Sequence, residues 1–239
     1  LGRVIGLHVG WRMTFFSIGV FSALTFLYIA WRLPKVPSGG GFSPKKLPEL
    51  LRHKGIMGLY LFTLLISSAI YVAYSYIEPF LKQVSLMPDD WVTTALMVFG
   101  GAGLLGSIAF SKYYNRNRKL FITVNVAAMA LCLLLLYPVS SGFLPVIMLL
   151  AVWGATATAY NVAMQSNMIL VTTPESTPVA MSIFSGIFNL GIGSGAFFGG
   201  AICSDLSISY IGLAGGVLAL IGVVYWVARL GNRIEPKDT

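Results

Sequence analysis

Residues that can bind a polar ligand recur at helical spacing inside the apolar stretches of this chain. Tyr71 and Tyr74 fall three residues apart in the stretch 56–77, and Glu78 follows one turn later on the same helical face. Tyrosine rings can stack on a sugar ring or an aromatic drug while their hydroxyls form hydrogen bonds. They can equally be core aromatics whose hydroxyls are already paired. The sequence leaves both interpretations open.

Glu78 is a carboxylate that borders an apolar stretch without plainly belonging to a loop. An ionisable residue within a membrane span is a functional hypothesis by default, and a carboxylate shielded from water can exchange protons near neutral pH. The alternative is an interfacial carboxylate in contact with water, because Pro79 follows it at the predicted end of the helix. Glu78 is therefore a candidate for proton coupling.

Two further polar faces lie on later stretches. The stretch 143–171 carries Asn161 and Gln165 four residues apart, and the next apolar stretch carries Ser185 and Asn189 at the same spacing. Side-chain amides offer donors and an acceptor, which suits hydroxylated substrates. They can also join helices, with hydrogen bonds worth about 0.6 kcal/mol each in a membrane. Polar and aromatic faces on three stretches predict one shared cavity near the membrane midplane. The candidate substrate-binding residues are Tyr71, Tyr74, Asn161, Gln165, Ser185 and Asn189.

Small residues mark another face of the stretch 178–202. Gly191, Gly195 and Gly199 recur every fourth residue there, in a segment without charge. In water each glycine weakens a helix by about 1 kcal/mol relative to alanine. In lipid it lets a neighbouring backbone approach closely, and such packing drives helix association. We therefore expect this helix to pack tightly on its glycine face and to line a wet cavity on its polar face.

The composition identifies the elements that hold these residues. Of the 239 residues, 56% are hydrophobic and 10% are charged, and the mean hydropathy is +0.81. A soluble domain has about 25% charged residues, so the sequence predicts an all-α polytopic membrane protein. Neither Cys132 and Cys203 nor His8 and His53 form a metal-ligand or nucleophile–base pattern. We therefore expect no metal, no cofactor and no enzymatic activity.

Hydropathy predicts seven membrane-spanning helices, over 13–31, 56–77, 92–110, 120–136, 143–171, 178–202 and 210–227. The predicted organisation has four parts: the end of one helix and a full helix in 1–32, a cytoplasmic linker in 33–55, a six-helix bundle in 56–229 and a tail in 230–239. Within the linker, 47–53 is predicted to form a short amphipathic helix on the membrane surface. A loop over 82–91 is predicted to hold Asp89 and Asp90.

Charge predicts the orientation of these helices. Lysine and arginine concentrate in the linker, in the segment 112–119 and in the tail. The positive-inside rule places these segments, and with them the C-terminus, in the cytoplasm. The net charge of +8 is therefore read as orientation charge rather than as nucleic-acid binding. The segment 112–119 can alternatively bind lipid headgroups.

Six spans behind a long basic linker are the organisation of the second half of a two-half transporter. The chain begins at Leu1 without methionine, and a single span precedes the linker. We therefore expect a fragment of a longer parent. The motif G-x-G-x-x-G at 101–106 lies inside an uncharged span, so it predicts helix packing rather than dinucleotide binding.

Four segments carry a family resemblance: LGRVIGLHVGWRMTFFSIG, AYSYIEPF, FGGAGLLGSIAF and VAMSIFSGIFNLGIGSGAFFGG. They resemble the major facilitator superfamily, in its twelve-helix drug/proton antiporter group, and within that group the bacterial sugar efflux transporters of the SotB type. The resemblance equates the seven spans with helices six to twelve, namely the C-terminal six-helix bundle and one preceding transmembrane helix. The first four helices and most of the fifth are then absent. Phe110 stands where the family's cytoplasmic loop motif has aspartate, so an ion-pair gate is not expected there.

The resemblance implies an exporter of arabinose-like or other small saccharides that works by proton antiport and alternating access. It implies a multi-pass protein of the bacterial inner membrane. Its partners would be a small-molecule substrate, protons, membrane lipid and the missing N-terminal bundle, and not nucleic acid. Two alternatives stay open: a multidrug/proton antiporter of the same fold, and a non-transporting membrane sensor or assembly subunit.

Overall fold

The computed structural model describes residues 10–32 and 47–231, and every regular element within them is helical. Seven helical segments of this part of the chain are long and apolar enough to cross a membrane, which confirms the predicted all-α polytopic fold. The chain divides into two compact units, 1–41 and 42–239. Helix α1 (Trp11–Arg32) belongs to the first unit.

Helix α1 is a single span with aromatic and cationic residues at both ends. Its 22 residues reach about 33 Å at 1.5 Å per residue. The Arg12 guanidinium lies 5.4 Å from the centroid of the Trp11 ring, and that of Arg32 lies 5.0 Å from the Trp31 ring. Tryptophan and arginine are the residues that anchor a span at the two membrane–water interfaces.

The second unit contains the other described helices. They are α2 (Leu47–Arg52), α3 (Lys54–Tyr74), α4 (Ile77–Gln83), α5 (Asp89–Tyr113), α6 (Arg118–Leu135), α7 (Phe143–Val171), α8 (Thr177–Asp205) and α9 (Ile211–Tyr225). A 3₁₀ turn over Ile208–Tyr210 precedes α9, and a π-helical turn over Trp226–Leu230 follows it. Helix α2 occupies the place of the short helix expected in the linker. The predictions for 1–9, for 33–46 and for 232–239 lie outside the described residues.

Local sequence determines where several of these helices begin. The side chain of His53 caps α3 by accepting a hydrogen bond from the Ile56 N–H at 3.3 Å. Asn117 caps α6 in the same way, because its Oδ1 accepts from the Leu120 N–H at 2.8 Å. Helix α8 has Pro178 in its first turn, where the missing N–H leaves no intrahelical bond unmade.

The prediction of one continuous helix through the second span is wrong near its end. The chain forms a turn at Ser75 and Tyr76, and α4 then continues the span. Pro79 explains this break, because it has no N–H to donate to the Ser75 carbonyl and its ring clashes with that carbonyl. Tyr74 therefore ends one helix, whereas Glu78 lies in the first turn of the next.

The predicted loop after this span is also too long. Asp89 and Asp90 form the first turn of α5 instead of lying in the loop. Pro88 precedes them in an extended conformation, with ψ of 154°, and so directs the chain into the helix. Carboxylates are stabilising at a helix N-terminus, where the helix dipole is positive. The two carboxylates that were expected to mark a loop therefore mark the start of a helix.

Glycines bring helices α3 and α8 into backbone contact. Gly191, Gly195 and Gly199 are all buried and face α3. A methyl group added at Gly195 would lie 2.6 Å from the Ser68 carbonyl oxygen, and one at Gly199 would lie 2.5 Å from that of Val72. These distances are too short for any side chain. The glycine face of α8 is therefore the surface on which α3 packs.

Helices α5 and α7 pack by the same means. A methyl group at Gly106 would collide with the Ala155 carbonyl, and one at Gly154 would collide with the Phe99 carbonyl. A methyl group at Gly103 would lie 2.7 Å from the Thr158 hydroxyl. Two glycines of the G-x-G-x-x-G motif thus serve helix packing. Helix α9 closes the bundle against α3 and α6 through the buried glycines Gly212, Gly215, Gly216 and Gly222.

A matched pair of substitutions in α8 tests this packing. Gly195→Ala places a methyl group against the Ser68 carbonyl, so we expect it to destabilise the purified protein by about 1–3 kcal/mol, as overpacking does. Gly193 lies two residues away and has nothing within 4 Å of its added methyl group. Gly193→Ala should therefore leave the thermal unfolding temperature in detergent unchanged or raise it. An unfolding temperature of Gly195→Ala equal to or above that of Gly193→Ala would contradict the packing.

Candidate functional site

A cavity of about 360 Å³ lies between helices α3, α5, α7 and α8 of the second unit. Three of the predicted substrate-binding residues, Tyr71, Tyr74 and Asn161, line it. The full lining is Ile70, Tyr71, Tyr74, Phe99, Gly100, Gly154, Ala157, Thr158, Tyr160, Asn161 and Phe188. The cavity is therefore built from the aromatic face of α3 and the polar face of α7 that the sequence placed together.

Aromatic rings from four helices meet at this cavity. The Tyr71 and Tyr74 rings are 5.6 Å apart and nearly perpendicular, and Phe188 meets Tyr71 edge-on at 6.3 Å. Phe99 lies against Tyr74, with ring centroids 5.0 Å apart and planes tilted by 30°. Trp153 supports both from behind, with centroids 5.3 Å from Phe99 and 6.3 Å from Tyr74. Edge-to-face contacts of this kind hold the rings in fixed orientations.

Close backbone approach positions two of these rings. Gly154 contacts the Phe99 carbonyl, so α5 and α7 come together at the level of the cavity. Trp153 precedes Gly154 in the sequence, so this contact brings its ring against the ring of Phe99. Gly100 lines the cavity and has nothing within 4 Å of an added methyl group. Its missing side chain leaves open space at the wall formed by α5.

The predicted amide pair on α7 is present as a hydrogen bond. Gln165 Nε2 donates to Asn161 Oδ1 at 2.6 Å. Asn161 lines the cavity, whereas Gln165 is not part of its lining. The Gln165 side chain therefore holds the orientation of the Asn161 amide at the cavity.

The predicted polar residues of α8 lie apart from the cavity. Ser185 and Asn189 are exposed, and Asn189 Nδ2 donates to the Ser185 carbonyl at 2.8 Å. Phe188, next to Asn189 in sequence, is the residue through which α8 reaches the cavity. Of the residues expected to share one site, the structure brings Tyr71, Tyr74 and Asn161 together at the cavity. The polar face of α8 lies on a separate surface of this unit.

Glu78 lies beyond the helix break and outside the cavity lining. The Lys82 ammonium is 3.4 Å from Glu78 Oε1 and 2.9 Å from Asp89 Oδ1, so one lysine joins α4 to the start of α5. The Glu78 side chain is 44% exposed. The geometry is that of a carboxylate at the end of a span, in an ion pair that crosses the loop.

Sequence reasoning missed several lining residues. Phe99 and Phe188 carry no signal, because an apolar side chain in an apolar helix looks the same whether it faces lipid, protein or a cavity. Gly100 and Gly154 are small residues that also occur at ordinary helix contacts. Thr158 was detectable, because it lies three residues before Asn161 and so shares its helical face.

Polar contacts join α3 to α8 beside the cavity. The Tyr60 hydroxyl donates to the Ala180 carbonyl at 3.0 Å, and the Tyr76 hydroxyl donates to the Ala196 carbonyl at 3.0 Å. The Ser68 and Ser194 hydroxyls are 2.9 Å apart. These contacts hold α8 between Ala180 and Ala196 against α3 and the turn that follows it.

Each described lining residue of the cavity is uncharged. A charged ligand loses its hydration on binding and needs a compensating charge, which this lining does not supply. Aromatic faces, the Asn161 amide and the hydroxyls of Thr158 and the tyrosines suit a neutral molecule with both apolar and hydrogen-bonding parts. The arrangement can bind and release such a molecule, and it offers no pair of groups for nucleophilic or acid–base catalysis.

A helical membrane bundle with an aromatic and polar cavity among its spans is an arrangement that membrane transporters have. Residues 1–175 match the family described as the Major Facilitator Superfamily. The match covers most of the 239 residues, and the chain belongs to this superfamily. It is therefore a multi-pass membrane protein of a transporter family, as the resemblance in its sequence predicted.

Neighbouring glycines in α5 provide a test of the cavity. In a background without Cys132 and Cys203, Thr158→Cys places a reporter thiol in the cavity wall. Adding Gly100→Leu fills the cavity, so we expect labelling of the thiol by a small methanethiosulfonate reagent to slow about tenfold, because the side chain occupies the space that the reagent needs. Gly101 also has nothing within 4 Å but does not line the cavity. Gly101→Leu should leave the labelling rate unchanged, and equal rates in the two variants would show that Gly100 does not face this space.

Proposed function

We propose that this protein exports small neutral saccharides, such as arabinose-like sugars, in exchange for protons. The observation that carries the proposal is the uncharged cavity, whose lining combines five aromatic side chains with the Asn161 amide and several hydroxyls. A sugar has apolar C–H faces that stack on aromatic rings, and hydroxyls that pair with amides and hydroxyls. The cavity therefore offers both kinds of contact that a sugar makes.

The size of the cavity supports a small substrate. Ligand pockets commonly measure about 300–1,000 Å³, and the 360 Å³ here lie at the lower end of that range. In a two-bundle transporter each bundle contributes part of the site, and the bundles rock around it. Under this proposal the second unit is the C-terminal bundle of the transporter, and an N-terminal bundle supplies the other wall.

Orientation follows from the basic residues of the described loops. The end of α5, the connection after it and the first turn of α6 carry Lys112, Arg116, Arg118 and Lys119. The positive-inside rule places this connection in the cytoplasm. Since α6 to α9 contribute four further crossings, the C-terminal end of the bundle lies on the same side. We accordingly propose that the C-terminus lies in the cytoplasm, and the bacterial inner membrane is the location that the sequence resemblance implies.

Multidrug export is a second candidate function, and the ring density of the cavity favours it. The rings of Tyr71, Tyr74, Phe99 and Phe188 line the cavity. Trp153 supports Phe99 and Tyr74 from behind. Flat lipophilic molecules gain from several aromatic faces without needing specific hydrogen bonds. A drug transporter should therefore tolerate loss of the Asn161 amide, whereas a sugar transporter should not.

Uptake into inverted membrane vesicles separates the two functions. With the full-length protein we expect labelled L-arabinose or lactose to accumulate when a proton gradient, acidic inside, is imposed, and not to accumulate without it. Asn161→Leu should abolish sugar uptake, because the amide is the lining group best suited to a hydroxyl. Accumulation of a lipophilic dye without sugar uptake would replace the sugar proposal by multidrug export. Uptake of neither would favour a non-transporting role.

Glu78 is the proposed proton-coupling residue, because it is an ionisable group attached to the span that carries Tyr71 and Tyr74. We expect Glu78→Gln to abolish gradient-driven export while leaving sugar binding to the purified protein unchanged. Asp90→Asn removes a carboxylate from the same end of the bundle and provides the control, with export retained. If the Glu78→Gln variant exported sugar at the wild-type rate, Glu78 would have no part in the coupling mechanism.

A further inference from the structure

Two buried hydroxyls at the contact between α3 and α7 have no hydrogen-bond partner in the described part of the chain. They are the Tyr160 phenol and the Thr63 hydroxyl, whose residues are 1% and 0% exposed. The Thr63 side chain lies within interaction distance of the phenol, but neither hydroxyl makes a hydrogen bond of full geometry in the described part of the chain. A buried hydroxyl without a partner is costly, so a native structure supplies one, from protein, water or a ligand.

Other hydroxyls of the same bundle show how such groups are normally paired. Tyr60 is 2% exposed, and its hydroxyl donates to the Ala180 carbonyl. The Thr156 and Thr172 hydroxyls donate to carbonyls four residues earlier in their own helix. Thr63 lies within α3 and has the Leu59 carbonyl at the same spacing, yet makes no such bond. The fold therefore leaves the Thr63 hydroxyl available to something other than its own backbone.

The side chains around the two hydroxyls require their partner to be uncharged. Phe62 meets the Tyr160 ring edge-on at 5.8 Å, and the Trp226 ring stacks on Phe62 at 5.1 Å. An apolar wall of this kind does not compensate an ion that has lost its hydration. Tyr160 also lines the cavity, next to Asn161. A neutral molecule in the cavity is therefore in contact with the residue that carries the unpaired phenol.

We infer that Tyr160 and Thr63 form a hydroxyl-binding subsite of the cavity, which holds one neutral O–H group between α3 and α7. The oxygen of that group accepts from one hydroxyl and its proton is donated to the other, so all three groups become paired. The group belongs either to an ordered water molecule or to a hydroxyl of the transported molecule. This inference deepens the proposed function, since it rests on the cavity being the substrate site.

Hydroxyl-radical footprinting by X-ray irradiation tests the subsite, because a bound O–H group of water is a local source of radicals. In the full-length protein in detergent we expect Tyr160 to be oxidised at least about tenfold faster than Tyr60, although both are almost fully buried. Tyr60 is the matched control, since its hydroxyl is paired with a carbonyl. Equal oxidation of the two tyrosines, without and with L-arabinose, would overturn the inference.

Adding L-arabinose identifies the source of the O–H group. If a sugar hydroxyl takes the place of water, saturating L-arabinose lowers the oxidation of Tyr160 and leaves that of Tyr60 unchanged. If the water is a permanent part of the structure, oxidation of Tyr160 stays high in the presence of the sugar. Either result supports the subsite, and the difference assigns its ligand.

Thr63→Val tests the second member of the pair while keeping the reporter tyrosine intact. The change is close to isosteric and removes one hydroxyl, so we expect oxidation of Tyr160 to fall to the level of Tyr60. Thr63→Ser keeps the hydroxyl and should restore it, which excludes a general loss of structure. Oxidation at the wild-type level in Thr63→Val would overturn the assignment of Thr63 and with it the paired subsite.

Binding of L-arabinose by the same purified proteins gives a readout that is independent of transport. Where the sugar hydroxyl is the ligand, Tyr160→Phe and Thr63→Val each weaken binding about fivefold, and the double variant weakens it no further, because both hydroxyls hold one oxygen. Failure of gradient-driven export with unchanged footprinting would overturn the proposed function and leave the subsite intact. Normal export with equal oxidation of Tyr160 and Tyr60 would support the proposed function and overturn the subsite.

Discussion

Close backbone contact at glycine is the interaction on which the rest of the bundle depends. Lipid tails are as apolar as leucine, so helices in a membrane gain little from burying apolar side chains against one another. They gain from close approach, which brings many atoms into contact. Gly195 and Gly199 provide this between α3 and α8, and Gly106 and Gly154 provide it between α5 and α7. Two tightly packed helix pairs result.

The cavity lies where these two pairs meet. Its lining comes from α3 and α8 on one side and from α5 and α7 on the other. Contacts between the pairs, from α3 to α7 and from α7 to α8, are much less extensive than those within each pair. The rings of Tyr74 and Phe99 and the hydroxyls of Thr63 and Tyr160 lie at this boundary. A bound molecule therefore touches both pairs, and a small shift of one pair against the other changes the site without disturbing the glycine contacts.

The sequence predicted the parts of this structure that leave a periodic or compositional signal. The bounds of α7 agree with the predicted 143–171, and the four-residue repeat of Gly191, Gly195 and Gly199 identified the face of α8 that meets α3. Polarity was a weaker guide. Asn189 bonds to a carbonyl of its own helix, so a polar residue in a span does not by itself mark a site. Phe188 beside it does line the cavity, and its type carries no such information.

The helix break before Pro79 separates binding from the candidate ion-pair site. Tyr71 and Tyr74 stay on α3 with the cavity, whereas Glu78 moves to α4, where Lys82 joins it to the start of α5. None of the described lining residues carries a charge, so under the proposed function a proton at Glu78 has to act on the cavity from a distance. Coupling of that kind requires an element that both sites bias. Under the proposed function the turn at Ser75 and Tyr76 is the candidate for that element. It lies between the helix that carries Tyr74 and the helix whose ion pair reaches the start of α5.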